Sequence, residues 1–290
     1  MIAFSKLGNY DRLGNQLFQY AFLRDRARHL GVQFWCPEWE GDQIFDLADQ
    51  GLRADSPSGL DKKFSQSEEA GYKESALHID DNTDIEGYFQ SNKYYADEGV
   101  VKQWFAFRDG IKNSALEKCY DIDFSTALSL FLRLDSDYAA TREFFPLYPT
   151  GYYQKGLSFF DNYETILVFA DRLDLAKEFL KNFPASEKFI YMEGLNPHEQ
   201  LYLMSICGCG NIITNSTFAW WGAYLNLCKG ARIVAPLEWC RPGVPVPIHG
   251  ILPDDWCAVR SLRPIWDNFQ LWRIRHPFAT ARRILTRLNK

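Results

Sequence analysis

Three short stretches of this chain place anion-binding residues where a strand gives way to a helix. The first is Gly14-Asn15-Gln16. Met1–Phe4 reads as a buried strand, a polar loop follows, and a helix runs from Asn15 to about Leu30. A glycine there allows close approach to the backbone, and the N-terminus of the helix favours anionic groups. Read alone, Gly14-Asn15 is a turn followed by an N-cap. The second stretch is Arg133-Leu-Asp-Ser-Asp137-Tyr138, at the end of the buried strand Thr126–Leu134. An arginine there can give bidentate bonds to a phosphate, and Asp137 can orient it or hold a sugar hydroxyl; the alternative is a surface ion pair. The third is Asn215-Ser216-Thr217-Phe218, after the strand Asn211–Thr214, where hydroxyls and backbone N–H groups would meet a phosphate. Trp220, Trp221 and Gly222, just beyond, read as packing residues. Asp171 ends the strand Thr165–Ala170, where it either accepts from the edge of a guanine or caps the next helix.

Other chemistries are disfavoured. Neither G-x-G-x-x-G nor G-x-x-x-x-G-K-[ST] occurs in the first loop, which argues against a nicotinamide cofactor or a P-loop nucleotide. Cys207 and Cys209 form C-x-C without a second Cys/His pair at ligand spacing, so no metal site is expected.

The elements that must position these residues follow from periodicity. Strand, loop, helix and strand (Val32–Trp35) open an α/β unit. Residues 40–80 are polar and weakly periodic, and read as a short helix and loops. Ile85–Tyr95 turns from strand-like to helix-like, Val100–Phe107 is helical or packed, and 110–120 reads as a linker. Beyond it, strands at 126–134, 165–170, 188–192, 211–215 and 232–235 alternate with helices at 152–160, 173–182, 196–207 and 216–227. Pro197 and Glu199 fit the first turn of their helix. This is the alternation of a doubly wound parallel sheet. The expected division is an amino-terminal lobe over 1–120, a carboxyl-terminal lobe over 121–260 and a helical tail over 261–290.

Composition sets the outer limits. The 290 residues are 47% hydrophobic, 16% aromatic and 24% charged, enough for two lobes with a real core and unlike a disordered chain. The net charge of −5 provides no global basic field for nucleic acid. Seven cysteines, an odd number, suit a reduced thiol set. The start is too polar for a signal peptide and no run of 18 apolar residues occurs, so a cytoplasmic location is expected. The basic tail Arg275–Lys290 either docks on the body or lies on the inner membrane face.

Longer motifs add a family likeness. Arg12-Leu-Gly-Asn-Gln-Leu-Phe-Gln-Tyr-Ala21, Glu86-Gly-Tyr-Phe-Gln-Ser91, Leu203-Met-Ser-Ile-Cys207, Ile213-Thr-Asn-Ser-Thr-Phe-Ala-Trp-Trp-Gly-Ala223 and Val234-Ala-Pro-Leu-Glu-Trp239 together resemble the bacterial α-1,2-fucosyltransferases, in order from about residue 8 to 240. The resemblance implies a GT-B-like fold: two Rossmann-like lobes facing a cleft, with a C-terminal helix returning to the body. It implies inverting, metal-independent transfer of fucose from GDP-β-L-fucose to the 2-hydroxyl of a terminal galactose, with no cofactor. Arg133 matches the phosphate-contacting arginine and Asn15 the amino-lobe asparagine facing the donor; these are the implied catalytic residues. Ser216, Thr217 and Phe218 match the diphosphate-binding turn, flanked by Asn215, and Asp171 matches the guanine-contacting carboxylate. Gly14, Phe131 and Asp137 complete the implied donor site. Phe131 stands where the family has histidine and Leu134 where it has a second arginine. A general base would be sought among the amino-lobe carboxylates Asp11, Glu38, Glu40 and Glu86, while His29, His78, His198, His249 and His276 lack a motif context. The alternatives are transfer of another GDP-sugar or to another linkage, and a non-catalytic glycan- or nucleotide-binding module.

Overall fold

In the computed structural model, which describes residues 1–9, 11–66, 70–134, 145–241 and 248–260, the chain begins with β1 (Ile2–Ala3) and α1 (Leu13–Leu30). Then come β2 (Phe34–Trp35), α2 (Gly41–Ile44), β3 (Phe45–Asp46), β4 (Lys62–Ser65) and β5 (Thr83–Glu86). β1, β2, β4 and β5 form a four-stranded parallel sheet in the order β2-β1-β5-β4. α3 (Glu98–Trp104), β6 (Ala106–Phe107) and α4 (Asp109–Glu117) lead away from it, with β6 antiparallel to β3.

The second half alternates regularly: β7 (Ala127–Leu132), α5 (Thr150–Leu157), β8 (Thr165–Ala170), α6 (Leu173–Leu180), β9 (Phe189–Tyr191), α7 (Pro197–Ser205), β10 (Gly210–Ile212), α8 (Thr217–Tyr224), β11 (Arg232–Pro236) and β12 (Cys257–Val259). These six strands form a second parallel sheet, ordered β12-β11-β10-β7-β8-β9. Every residue of β7 is buried, as a strand covered on both faces requires, which is why it reads as an apolar run. The architecture is the expected pair of Rossmann-like lobes.

The second sheet has a switch point, a place where the chain leaves adjacent strands toward opposite sides: β7 leads to β8 on one side and β10 to β11 on the other. In the first sheet β1 and β5 are the two central strands. Ligands of open α/β sheets bind beyond the carboxyl ends of the strands at switch points. The segments that follow β1, β5, β7 and β10 hold Gly14, Gln90, Arg133 and Ser216.

The core runs through both lobes at the seam between α1 and α8. Phe18 packs on Trp220 and Trp221, with ring centroids 4.5 and 5.1 Å apart, and Phe105 lies 5.0 Å from Trp221. Both tryptophans are fully buried, and a Cβ on Gly222 would run into Met204; the three are packing residues, as expected.

Several details differ from the sequence reading. Residues 109–117 are helical rather than a linker: α4 buries only Ala115, too little for a visible periodicity. Lys118, just past its end, holds it to α7 by pairing with the buried Glu199 carboxylate. Gly14 and Asn15 lie inside the first turn of α1, whose N-cap is Arg12, so the turn-plus-N-cap reading fails. Asp171 does not cap α6; Arg172 holds the N-cap position and the Asp171 side chain turns back to the end of β7. The exposed, lysine-rich edge of β4 hides it from a periodicity reading, and β12 is hidden by its brevity. Asp137, His276 and the carboxyl-terminal helical tail lie outside the described residues. Among those described, no helix is long and apolar enough to cross a membrane.

Candidate active site

The segments that follow the central strands of both sheets line one cleft of about 1000 Å³. From the amino-terminal lobe it is lined by Asp11, Arg12, Gly14, Asn15, Glu40, Tyr88 and Gln90. From the other lobe come Phe131, Arg133, Asp171, Asn215, Ser216, Thr217 and Phe218, with Phe145 and Trp239 as further aromatic walls. The structure therefore gathers every residue of the sequence-derived donor site that it describes.

Two helix N-termini meet here. A Cβ on Gly14 would come within 2.5 Å of the Phe218 nitrogen and 2.6 Å of Thr217, so only glycine lets the first turn of α1 touch the first turn of α8. Each helix leaves its first N–H groups without intrahelical partners and carries a positive dipole end. Neither first turn contains an acidic residue. Ser216 is the N-cap of α8, its hydroxyl accepting from Ala219 N at 3.4 Å.

Arg133 leaves the end of β7 beside this junction. Its Nη1 donates to the Asn215 carbonyl at 2.7 Å, and its guanidinium lies 5.8 Å from the Phe145 ring centre. Asn215 is fixed in turn by Nδ2 bonds to the Pro146 and Trp239 carbonyls, at 3.1 and 3.2 Å. Asp171 Oδ1 accepts from Leu134 N at 2.7 Å, which ties the end of β8 to the end of β7. Phe131, in place of an imidazole, packs on Phe218 with ring centres 6.0 Å apart. A positive pole thus stands at the second sheet's switch point, with carboxylate and aromatic surface beside it: a setting for a nucleotide diphosphate.

Facing it, Asn15 bridges two groups. Its Oδ1 accepts from Gln90 Nε2 at 2.9 Å, and its Nδ2 donates to Asp11 Oδ1 at 3.3 Å. Asp11 Oδ2 accepts from Gln19 Nε2 at 2.6 Å. Burial raises the Asp11 pKa above the ordinary carboxylate value, against the lowering effect of the Gln19 and Asn15 hydrogen bonds. Glu40 Oε1 lies 2.9 Å from His198 Nε2, a contact between the lobes at the cleft wall. Of the other two amino-lobe carboxylates, Glu86 pairs with Lys6 at 2.6 Å, and neither it nor Glu38 lines the cleft. His29 lies in the last turn of α1. The sequence reading misses Tyr88, Gln90 and Gln200, although Tyr88 and Gln90 stand within the Glu86–Ser91 motif. Among the described residues, no group of three or more His, Cys, Asp or Glu side chains could hold a metal ion.

The model of Glycosyl transferase family 11 matches residues 149–241. Over 100 residues the chain is 32% identical to the O-antigen biosynthesis glycosyltransferase WbnK of Escherichia coli, a match spanning 33% of this chain and 33% of that protein. In fold it is similar to POFUT1, solved in complex with GDP-fucose (TM-score 0.50, 11% identity, 77% of this chain and 93% of that one). It is equally similar to the fucosyltransferase NodZ from Bradyrhizobium (TM-score 0.50, 13% identity, 76% and 92%). The chain is thus similar in fold to these two proteins and, over residues 149–241, similar in sequence to glycosyl transferase family 11.

Proposed function

We propose that this protein is an inverting glycosyltransferase that moves L-fucose from GDP-β-L-fucose to the 2-hydroxyl of a terminal galactose in an oligosaccharide, without a metal ion. The observation that carries the reading is the junction of two helix N-termini beside Arg133 at the switch point of the second sheet. Departure of GDP from the sugar builds negative charge on the diphosphate while the sugar gains oxocarbenium character. Fixed positive charge where the negative charge grows lowers the barrier. Arg133, the first N–H groups of α8 and the Ser216 and Thr217 hydroxyls would supply it. Asp171 and the Phe131 backbone would meet the guanine, and Asn15 would face the donor from the opposite lobe. The family match, the WbnK likeness and the GDP-fucose named for POFUT1 support the donor assignment.

The deciding experiment incubates the protein with GDP-fucose and lactose or other β-galactosides in the presence of EDTA, and determines the product linkage. Fucose α-linked to the galactose 2-hydroxyl is the expected product. Loss of turnover with EDTA, a different linkage, or binding of GDP-fucose without transfer to any β-galactoside would overturn the metal-free, linkage or catalytic part of the reading respectively.

A further inference from the structure

Transfer to a sugar hydroxyl needs a proton acceptor. The diphosphate-facing wall is poorly suited to supply one: Arg133 is a cation, the helix N-termini present donors, and Asp171 is tied to Leu134 N at the strand ends. Among the described residues, two carboxylates of the amino-terminal lobe line the cleft opposite, Asp11 and Glu40. They are held in different ways. Glu40 is more than a third exposed, and one of its oxygens contacts His198. Asp11 is half-buried in the loop that leads into α1, two residues before the helix whose first turn touches α8. Both of its oxygens accept from carboxamides, Asn15 at 3.3 Å and Gln19 at 2.6 Å. Its own carbonyl accepts from Gln16 Nε2 at 2.6 Å, which pins the backbone as well. Gln19 is fixed further by the Gly87 carbonyl at 3.1 Å, and Asn15 by Gln90 at 2.9 Å. These partners are neutral. They orient the carboxylate and leave its negative charge in place, where a cationic partner would cancel it.

Resting on the fucosyl-transfer reading above, we propose that Asp11 is the general base of the reaction. The acceptor hydroxyl gives its proton to an Asp11 carboxylate oxygen as its own oxygen bonds to the sugar's anomeric carbon. The bond from that carbon to the phosphate oxygen breaks at the same time, and the leaving diphosphate keeps the electron pair opposite Arg133. Asp11 then returns its proton to solvent through the open cleft. The acceptor therefore enters from the Asp11 side of the cleft and the leaving group departs on the Arg133 side. Burial keeps Asp11 more basic than an exposed aspartate, which suits a base working near neutrality. Among the described residues, the other ionisable groups at the cleft are Arg12, Glu40, Tyr88, Arg133 and Asp171, together with His198 behind Glu40.

The test compares Asp11→Asn, Asp11→Ala and Glu40→Gln with the wild-type chain, measuring GDP binding by calorimetry and fucose transfer across pH. We expect Asp11→Asn to bind GDP within about threefold of wild type while transfer falls roughly 10²- to 10⁴-fold. The wild-type rate should rise with pH as the carboxylate ionises, and this limb should vanish in Asp11→Asn. Formate should restore part of the turnover of Asp11→Ala, which a structural role would not allow. Transfer within about threefold of wild type in Asp11→Asn overturns the assignment. So does a greater loss in Glu40→Gln than in Asp11→Asn, or a loss of GDP binding that matches the loss of turnover. A wild-type protein that neither binds GDP-fucose nor transfers it refutes the underlying function and is recognised before any variant is made.

Discussion

Arg133 reaches the cleft already oriented, because the Asn215 carbonyl accepts from its Nη1 at 2.7 Å and Asn215 is itself anchored on two further carbonyls. A planar guanidinium fixed in this way can fork onto a diphosphate, which the point charge of lysine cannot do. Replacing it by alanine is expected to raise the barrier to transfer by about 2–4 kcal/mol, read as kcat/KM, with Arg133→Lys restoring little. Normal kcat/KM in Arg133→Ala would remove this residue from the mechanism. Gly14 makes a second demand at this scale, for space. A methyl group there meets backbone atoms of α8 at 2.5–2.6 Å, and backbone cannot swing aside as a side chain can. Gly14→Ala should cost about 1–3 kcal/mol of stability as overpacking and should weaken GDP binding, because the two first turns must separate. Thermal melts with and without GDP measure both effects.

The element that brings Pro197 and Gln200 to the cleft is α7, and one buried carboxylate holds its start. Glu199 is 1% exposed. Its oxygens accept from Lys118 Nζ at 2.7 and 2.8 Å, from Ser114 Oγ at 2.6 Å and from Asn196 N at 2.9 Å, while Asn196 Oδ1 closes the capping box at 3.0 Å. Burial alone would push the Glu199 pKa up; the Lys118, Ser114 and Asn196 hydrogen bonds, with the Lys118 charge, leave it below the ordinary value. A carboxyl group more acidic in the folded chain stabilises it above its unfolded pKa, and that contribution is lost as pH falls through the folded pKa. Glu199→Gln should therefore lower stability at neutral pH by about 3 kcal/mol, and the gap to wild type should narrow in acid. Urea melts at several pH values check this. The same pair of elements shows what a sequence reveals and what it hides. Asn196, Pro197 and Glu199 announce the start of α7 because capping is local chemistry. α4 escapes because its anchoring is non-local: Lys118 at its end meets Glu199 from 81 residues away in the chain, and the helix has little apolar face of its own. The strand-end residues Arg133, Asp171 and Ser216 are legible because strand ends are marked by where apolar runs stop. The bridge from Asn15 to Gln90 is not, because a contact across 75 residues leaves no local pattern.

At the scale of the whole molecule the cleft depends on how the two sheets are joined. A hinge of a few exposed polar contacts would let each lobe unfold alone. Here the seam is apolar and aromatic: Phe18 of α1 is buried against Trp220 and Trp221 of α8, Trp220 stacks on Tyr224 at 4.6 Å, and Phe105 closes on Trp221. One connected core cluster contains residues from Ile2 to Trp256 and so crosses from the first sheet to the second. Continuous packing of this kind couples the lobes energetically, since interiors transmit a lost contact rather than absorb it. Phe18→Ala is expected to cost about 3–5 kcal/mol, the range for deleting a buried aromatic side chain. Because the deleted ring packs between the lobes, the loss should fall on both. Denaturant unfolding of the wild type, followed by tryptophan fluorescence and by far-ultraviolet circular dichroism, should give one coincident transition that Phe18→Ala shifts as a unit. GDP at about a hundredfold its Kd should move that whole transition by about 2.7 kcal/mol if, as proposed, the donor is held between residues of both lobes. Two separated transitions in the wild type, with GDP protecting only one, would show instead that the lobes fold independently and that the aromatic seam is a docking surface between them.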